Sequence, residues 1–266
     1  MKKKLIVVCD DFGFSMATSI GAIKAYNEGI VTVLSLMSNM ETAEYAVKLA
    51  KEHCPKAQIT LHANFVQGKS VGDGYKTLTK EDGSFYGSAF WKGGKKGSKH
   101  YEDGVNPSAD ELAKELKAQV IRTEELTDQP LMHMEGHSVV TRNIQKAFAQ
   151  VNASLNIHSM FLSGETEKFH YAHELGFDNG TRYFEILHSG FTPELFVQDP
   201  FGLLKSKHEY NVLHFHPGYL DAFVFDNSSL REPRVRDLET LTSPLVKDWL
   251  DSQDIELVDF TALLKN

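Results

Sequence analysis

The chain has 266 residues, 41% of them apolar, with a formal net charge of −8 and a pI near 5.8. That length holds one α/β barrel or two smaller domains, and the acidic balance argues against a general nucleic-acid binder while leaving room for a local basic patch. Cys9 and Cys54 give no disulfide framework and no CxxC, and no stretch approaches membrane-spanning length.

The first element follows Lys2-Lys3-Lys4. Leu5 to Cys9 is a five-residue apolar run, which reads as a strand buried on both faces. It is too short for a signal peptide and ends in Asp10-Asp11, so a soluble cytoplasmic protein with no membrane partner is expected. Ser15 caps a predicted helix running to about Asn27, with Gly29 as its stop. Val33–Met37 reads as a second strand, Glu41–His53 as a helix closed by Pro55, and Gln58–Leu61 as a third strand. From Gln67 to Pro107 the rhythm breaks. This segment holds nine of the nineteen glycines together with Tyr75, Phe85, Tyr86, Phe90, Trp91 and Tyr101, so it reads as a functional loop insertion and not as a linker.

Ser108 with Glu111 three residues on is a capping-box pattern, and a helix follows through Leu112, Leu116 and Val120. Leu131–Met134 is a predicted strand, Arg142–Val151 a helix, Ser159–Leu162 a strand, Glu167–Leu175 a helix and Tyr183–Leu187 a strand. Asn211–Phe215 is a seventh strand, Arg234–Leu250 one long helix, and Ile255–Val258 an eighth strand. Such alternation implies a parallel sheet with right-handed crossovers. The expected fold is therefore α/β: a TIM-like (β/α) barrel of seven or eight parallel strands, allowed to be incompletely closed, in a single domain over 1–266. An open doubly wound sheet is the alternative, although no GxGxxG follows a strand.

The polar residues just past the predicted strands are Asp10 and Asp11, Ser38 and Asn39, His62 and Asn64, Glu135 and His137, then His216. In a barrel these share one mouth. A carboxylate with two imidazoles from separate strands is a common divalent-metal set. His133, inside a strand, reads as a packed residue behind such a set, and His188 is a competitor. His214 and His216 point the same way under strand alternation; the Pro-Gly after His216 marks the strand end and favours it. Adjacent Asp10 and Asp11 would point to opposite sides unless the strand ends between them, as Phe12-Gly13 suggests.

Together these residues resemble the YdjC-like carbohydrate deacetylases, also called chito-oligosaccharide deacetylases. Val8-Cys9-Asp10-Asp11-Phe12-Gly13 is similar to that family's opening ADDFG, and Gly29–Met37 to its GIVTSTSLM stretch. Thr60-Leu61-His62-Ala63-Asn64-Phe65 resembles GLHLNL, and His216-Pro217-Gly218-Tyr219-Leu220-Asp221 the late HPGYxD motif. The fourth strand departs from the family's His-x-Asp-Ser-His-x-His: here it reads His133-Met134-Glu135-Gly136-His137-Ser138-Val139, with Glu for Asp, Gly for Ser and no last histidine.

The resemblance implies a barrel hydrolase acting on N-acetylated mono- or oligosaccharides with one divalent metal: magnesium first, zinc or another transition metal otherwise. By similarity, Asp11, His62 and His137 bind the metal, Asp10 is the general base and His216 the general acid. Asn64, Trp91 and Tyr219 are the expected substrate contacts, with Trp91 or Tyr86 stacking on a pyranose face. A sugar-binding or regulatory protein that keeps the barrel without catalysis, or a metal hydrolase of another amide or a phosphodiester, are the competing classes. The oligomeric state stays open, a homodimer included.

Overall fold

The computed structural model describes residues 2–91, 107–159, 169–171 and 186–265. Its strands are β1 (Lys3–Phe12), β2 (Val33–Leu36), β3 (Gln58–Ala63), β4 (His133–Gly136), β5 (His158–Ser159), β6 (Phe169–Tyr171), β7 (Tyr210–Phe215) and β8 (Ile255–Leu257). The helices are α1 (Met16–Glu28), α2 (Ala43–His53), α3 (Ser88–Trp91), α4 (Ala109–Thr127), α5 (Arg142–Leu155), α6 (Pro193–Phe196), α7 (Ala222–Asn227), α8 (Glu232–Thr242) and α9 (Pro244–Ser252), before a closing 3₁₀ turn (Phe260–Lys265). Contacts divide the described residues into two compact units. One falls within Met1–Ser35, Tyr45–Ile59 and Ser163–Asn266; the other within Leu36–Glu44 and Thr60–Leu162. The chain passes from one to the other inside β2 and β3.

In the first unit the strand order is β3-β2-β1-β7-β6, with β8 also on β1. β1 and β7 run parallel from Lys4↔Tyr210 to Cys9↔Phe215. Leu5 to Cys9 and Val212 to Phe215 are buried, so the apolar run is indeed a strand covered on both faces. Ser15 caps α1 through a capping box: its hydroxyl accepts the Thr18 N–H while its own N–H donates to Thr18 Oγ1. Gly21 is a packing requirement of α1, because a Cβ there would lie 2.6 Å from Gly218 Cα. That close approach seats the segment after His216 on the helix.

The second unit holds the order β5-β4-β3, with Leu61↔Met134 and His62↔Glu135 opposed across β3 and β4. Its core joins Leu61, Phe65, Leu116, Met134 and Phe148. Helix α4 starts at Ser108, whose hydroxyl accepts the Glu111 N–H. Glu111 does not complete the expected capping box: its carboxylate accepts the N–H groups of Lys76, Thr77 and Leu78 instead. Of the insertion, residues 67–91 are described; antiparallel bridges Lys69↔Ser84 and Thr79↔Phe85 give them a hairpin-like base.

The α/β class and parallel sheet are as expected. Among the described residues β5 and β6 stand at opposite ends of the strand order, an arrangement that the expected incomplete closure allows. The helix expected over Glu167–Leu175 is a strand at Phe169–Tyr171, where pairing with β7 overrides a weak helical period. The strand expected over Tyr183–Leu187 is helical at 186–187. Residues 160–162 of the expected fifth strand lie outside the described residues, as do 183–185 and the remainder of the 167–175 segment. The single helix expected over Arg234–Leu250 is two, broken at Ser243 by Pro244.

Candidate active site

In the first unit both aspartates at the end of β1 are buried. β1 continues to Phe12, so the strand does not end between them as expected. Asp11 instead takes a left-handed backbone, φ 61°, a conformation that aspartate tolerates better than most residues. The two carboxylates face different partners, as neighbours on a strand do. Asp10 Oδ1 is 3.1 Å from His214 Nδ1, and its Oδ2 is 3.8 Å from His216 Nε2. His214 and His216 share one side of β7's end, as alternation requires. Asp11 Oδ2 accepts a 2.6 Å hydrogen bond from Arg234 Nη2.

A buried ion pair is stable only when further bonds satisfy its ends. Arg234 Nε donates to Leu230 O, Nη2 also donates to Ser228 Oγ, and the guanidinium lies 5.4 Å from the Phe14 ring centroid. Asp237, on the same helix, accepts the backbone N–H of His216 at 3.0 Å and of Phe191 at 3.2 Å. Burial pushes its carboxyl up to about 7, against the two N–H groups and Arg234, which pull it down. Asp237 thus pins the main chain of His216 where β7 ends.

In the second unit His62 lies near the end of β3, opposite Glu135. Its Nε2 is 3.1 Å from His137 Nδ1, and its Nδ1 is 3.8 Å from Glu135 Oε1. The other carboxylate oxygen of Glu135 is 3.2 Å from His133 Nε2. The His137 N–H donates to Ala63 O, extending the β3–β4 ladder by one rung. A carboxylate hydrogen-bonded to the outer nitrogen is the usual support of a metal-binding histidine; Glu135 stands on that side of His62, at 3.8 Å. Two nitrogens each about 2.1 Å from one cation are about 3.0 Å apart at a right angle and about 3.4 Å apart at the tetrahedral angle, and the 3.1 Å found lies between. The glutamate that replaces the family's aspartate reaches both His133 and His62.

The expected substrate contacts differ in exposure. Tyr219 is 40% exposed and Trp91 only 2%. The Trp91 ring belongs to the core of its unit and its Nε1 donates to Phe65 O, so the ring is committed to packing. Tyr86 stacks on Phe90 at 4.1 Å. Asn64 is buried: its amide donates to Asn39 Oδ1 and Gln67 O and accepts the N–H of Val66 and Gln67. Asn64 therefore organises the loop after β3.

The family model of YdjC-like proteins matches residues 4–252. The chain belongs to the YdjC-like family. It is 30% identical over 267 residues to a carbohydrate deacetylase of Brevibacillus brevis, covering 98% of this chain and 99% of the relative. Carbohydrate deacetylase 2 of Listeria innocua is 29% identical over 264 residues, 97% of each chain. Among solved structures, a protein of Enterococcus faecalis V583 named for cellobiose-phosphate cleavage shares the fold, with a TM-score of 0.80, 20% identity and 99% coverage of both chains.

The YdjC-like motifs account for Asp10, Asp11, His62, His137 and His216, each at or near a strand end. Sequence reasoning weighed His214 and set it aside; the structure puts it nearer to Asp10 than His216 is. Asp237 falls in the stretch Arg236–Thr242 that is similar to the family's tail, and Arg234 in the expected helix; nothing local in the sequence marks the partner of either.

Proposed function

We propose that this YdjC-like protein is a metal-dependent hydrolase that removes the acetyl group from N-acetylated sugars, chito-oligosaccharides foremost. Family membership and the names of its relatives support a carbohydrate deacetylase. The observation that carries the chemistry is Asp10 set beside His214 and His216, a carboxylate with two imidazoles at the end of one strand pair.

The YdjC-like motifs assign one divalent metal to Asp11, His62 and His137. The donor types suit such an ion: two imidazole nitrogens 3.1 Å apart in the second unit, and in the first a carboxylate whose Oδ2 accepts from Arg234. Two imidazoles and a carboxylate suit zinc or another transition metal better than magnesium, which prefers an all-oxygen shell. A cation there supplies carbonyl polarisation and a lowered pKa for water.

The chain's own residues do the rest. Asp10 takes the proton of the attacking water, and His214 Nδ1 holds that carboxylate in place. The C–N bond of the tetrahedral adduct breaks only if the leaving nitrogen is protonated. His216, pinned through its backbone by Asp237, delivers that proton. The products are acetate and a free amino sugar. Tyr219, exposed just beyond His216, gives the sugar an aromatic face; in the second unit Asn64 shapes the loop after β3 and Trp91 anchors it.

Incubation with N,N′-diacetylchitobiose and a divalent metal, followed by an assay for free acetate, tests the assignment. Acetate formed in step with free amine is the expected result. Saturable sugar binding without acetate would favour a binding protein.

A further inference from the structure

Helix α4 carries two buried polar side chains that the chemistry above does not use, Glu115 and Gln119. Both point at the segment after β3. Gln119 pairs with both backbone groups of Asn64: Oε1 accepts the Asn64 N–H at 3.0 Å, and Nε2 donates to Asn64 O at 2.7 Å. It thus acts as a surrogate strand neighbour two residues beyond His62. The same Nε2 donates to Glu115 Oε1 at 2.8 Å.

Glu115 in turn takes the loop. Its Oε1 accepts the Val71 N–H at 2.9 Å; its Oε2 accepts the Gly72 N–H at 2.9 Å and the Tyr75 hydroxyl at 2.8 Å. A Cβ at Gly72 would lie 2.3 Å from the Tyr75 oxygen, so a side chain there would displace that hydroxyl. Asn39, just past β2, ties the loop's start by donating to Gln67 O and Lys69 O. Four donors on one buried carboxylate, continued through one amide to the strand end, form a fully connected polar network, the kind that fixes a single geometry.

We propose that Glu115 and Gln119 are positioning residues for the reaction. They form a relay that locks the loop after β3 to α4 and sets the strand end that carries His62, so that loop and strand end meet the substrate as one preformed surface. The kinetic part rests on the deacetylase assignment.

Glu115→Gln keeps the volume but turns an amide NH₂ toward the Gly72 N–H. The leaving of that donor unpaired is expected to raise hydrogen exchange at the Val71 and Gly72 amides about tenfold. KM for N,N′-diacetylchitobiose is expected to rise about tenfold with kcat within about twofold, since binding geometry and not acid–base chemistry is disturbed. Tyr75→Phe removes one bond at the loop and should move KM the same way by about threefold, with the fold untouched. Unchanged exchange at Val71 and Gly72 in both variants would overturn the proposal. So would exchange raised uniformly across the unit with kcat and KM unchanged, which is the mark of a packing residue. If the wild-type protein releases no acetate, the deacetylase assignment fails, and amide exchange alone still decides whether the relay exists.

Discussion

Adjacent on β1, with Asp11 in a left-handed backbone, the two carboxylates hold separate posts. Asp10 faces imidazoles, while Asp11 faces a buried guanidinium. Asp10→Asn should retain bound metal and lose turnover, because an amide cannot take a proton from water. Asp11→Asn should lose both. Elemental analysis beside kcat checks this, and an emptied site in Asp10→Asn with a full one in Asp11→Asn would exchange the roles. Asp237 gives a pH signature of its own. Its carboxyl, pushed up to about 7 by burial, binds a proton in the folded chain where the unfolded chain has lost it. Between about pH 4 and pH 7 its contribution to stability therefore falls as pH rises. Asp237→Asn should flatten the decline of Tm with pH relative to wild type; parallel declines would show that Asp237 does not titrate there. At this scale the sequence disclosed the residues that sit at the ends of apolar runs, such as His62 and Asp10. It hid Arg234, which meets Asp11 across 223 residues, because nothing local marks a partner chosen by the tertiary fold.

Helices and strands were legible where one signal dominated. β1 announced itself by five apolar residues, and α1 by its cap at Ser15. Where two signals competed, tertiary pairing decided. Phe169–Tyr171 joined β7 as a strand despite a helical period, and Pro244 divided a helix that its apolar spacing alone would have continued. Capping chemistry was ambiguous in the same way. Glu111 reads as the partner of Ser108, yet its carboxylate gathers three backbone N–H groups of the insertion, which hold its pKa below the usual range even though burial pushes the other way. The insertion's aromatics divide by burial: Trp91 packs inward, Tyr86 and Phe90 stack nearer the surface. Trp91→Ala should therefore cost about 3–5 kcal/mol of stability, the range for truncating a buried aromatic. Denaturant unfolding measures it. A loss under about 1 kcal/mol with a raised KM would return the ring to the sugar.

Across the whole chain, alternation of strand and helix fixed a parallel α/β protein but not its closure. Among the described residues β5 and β6 end the strand order, and no periodicity in the sequence encodes that order. The order of four motifs from Asp10 to Asp221 carried the family, and the family match over residues 4–252 agrees with it. The metal is the claim on which the chemistry turns, and removing it is the most direct test. Acetate release from N,N′-diacetylchitobiose should be abolished in chelator-stripped protein that elemental analysis shows to be metal-free. It should return on addition of a divalent ion, with zinc or another transition metal effective at lower concentration than magnesium. Full acetate release by protein proven metal-free would contradict the account.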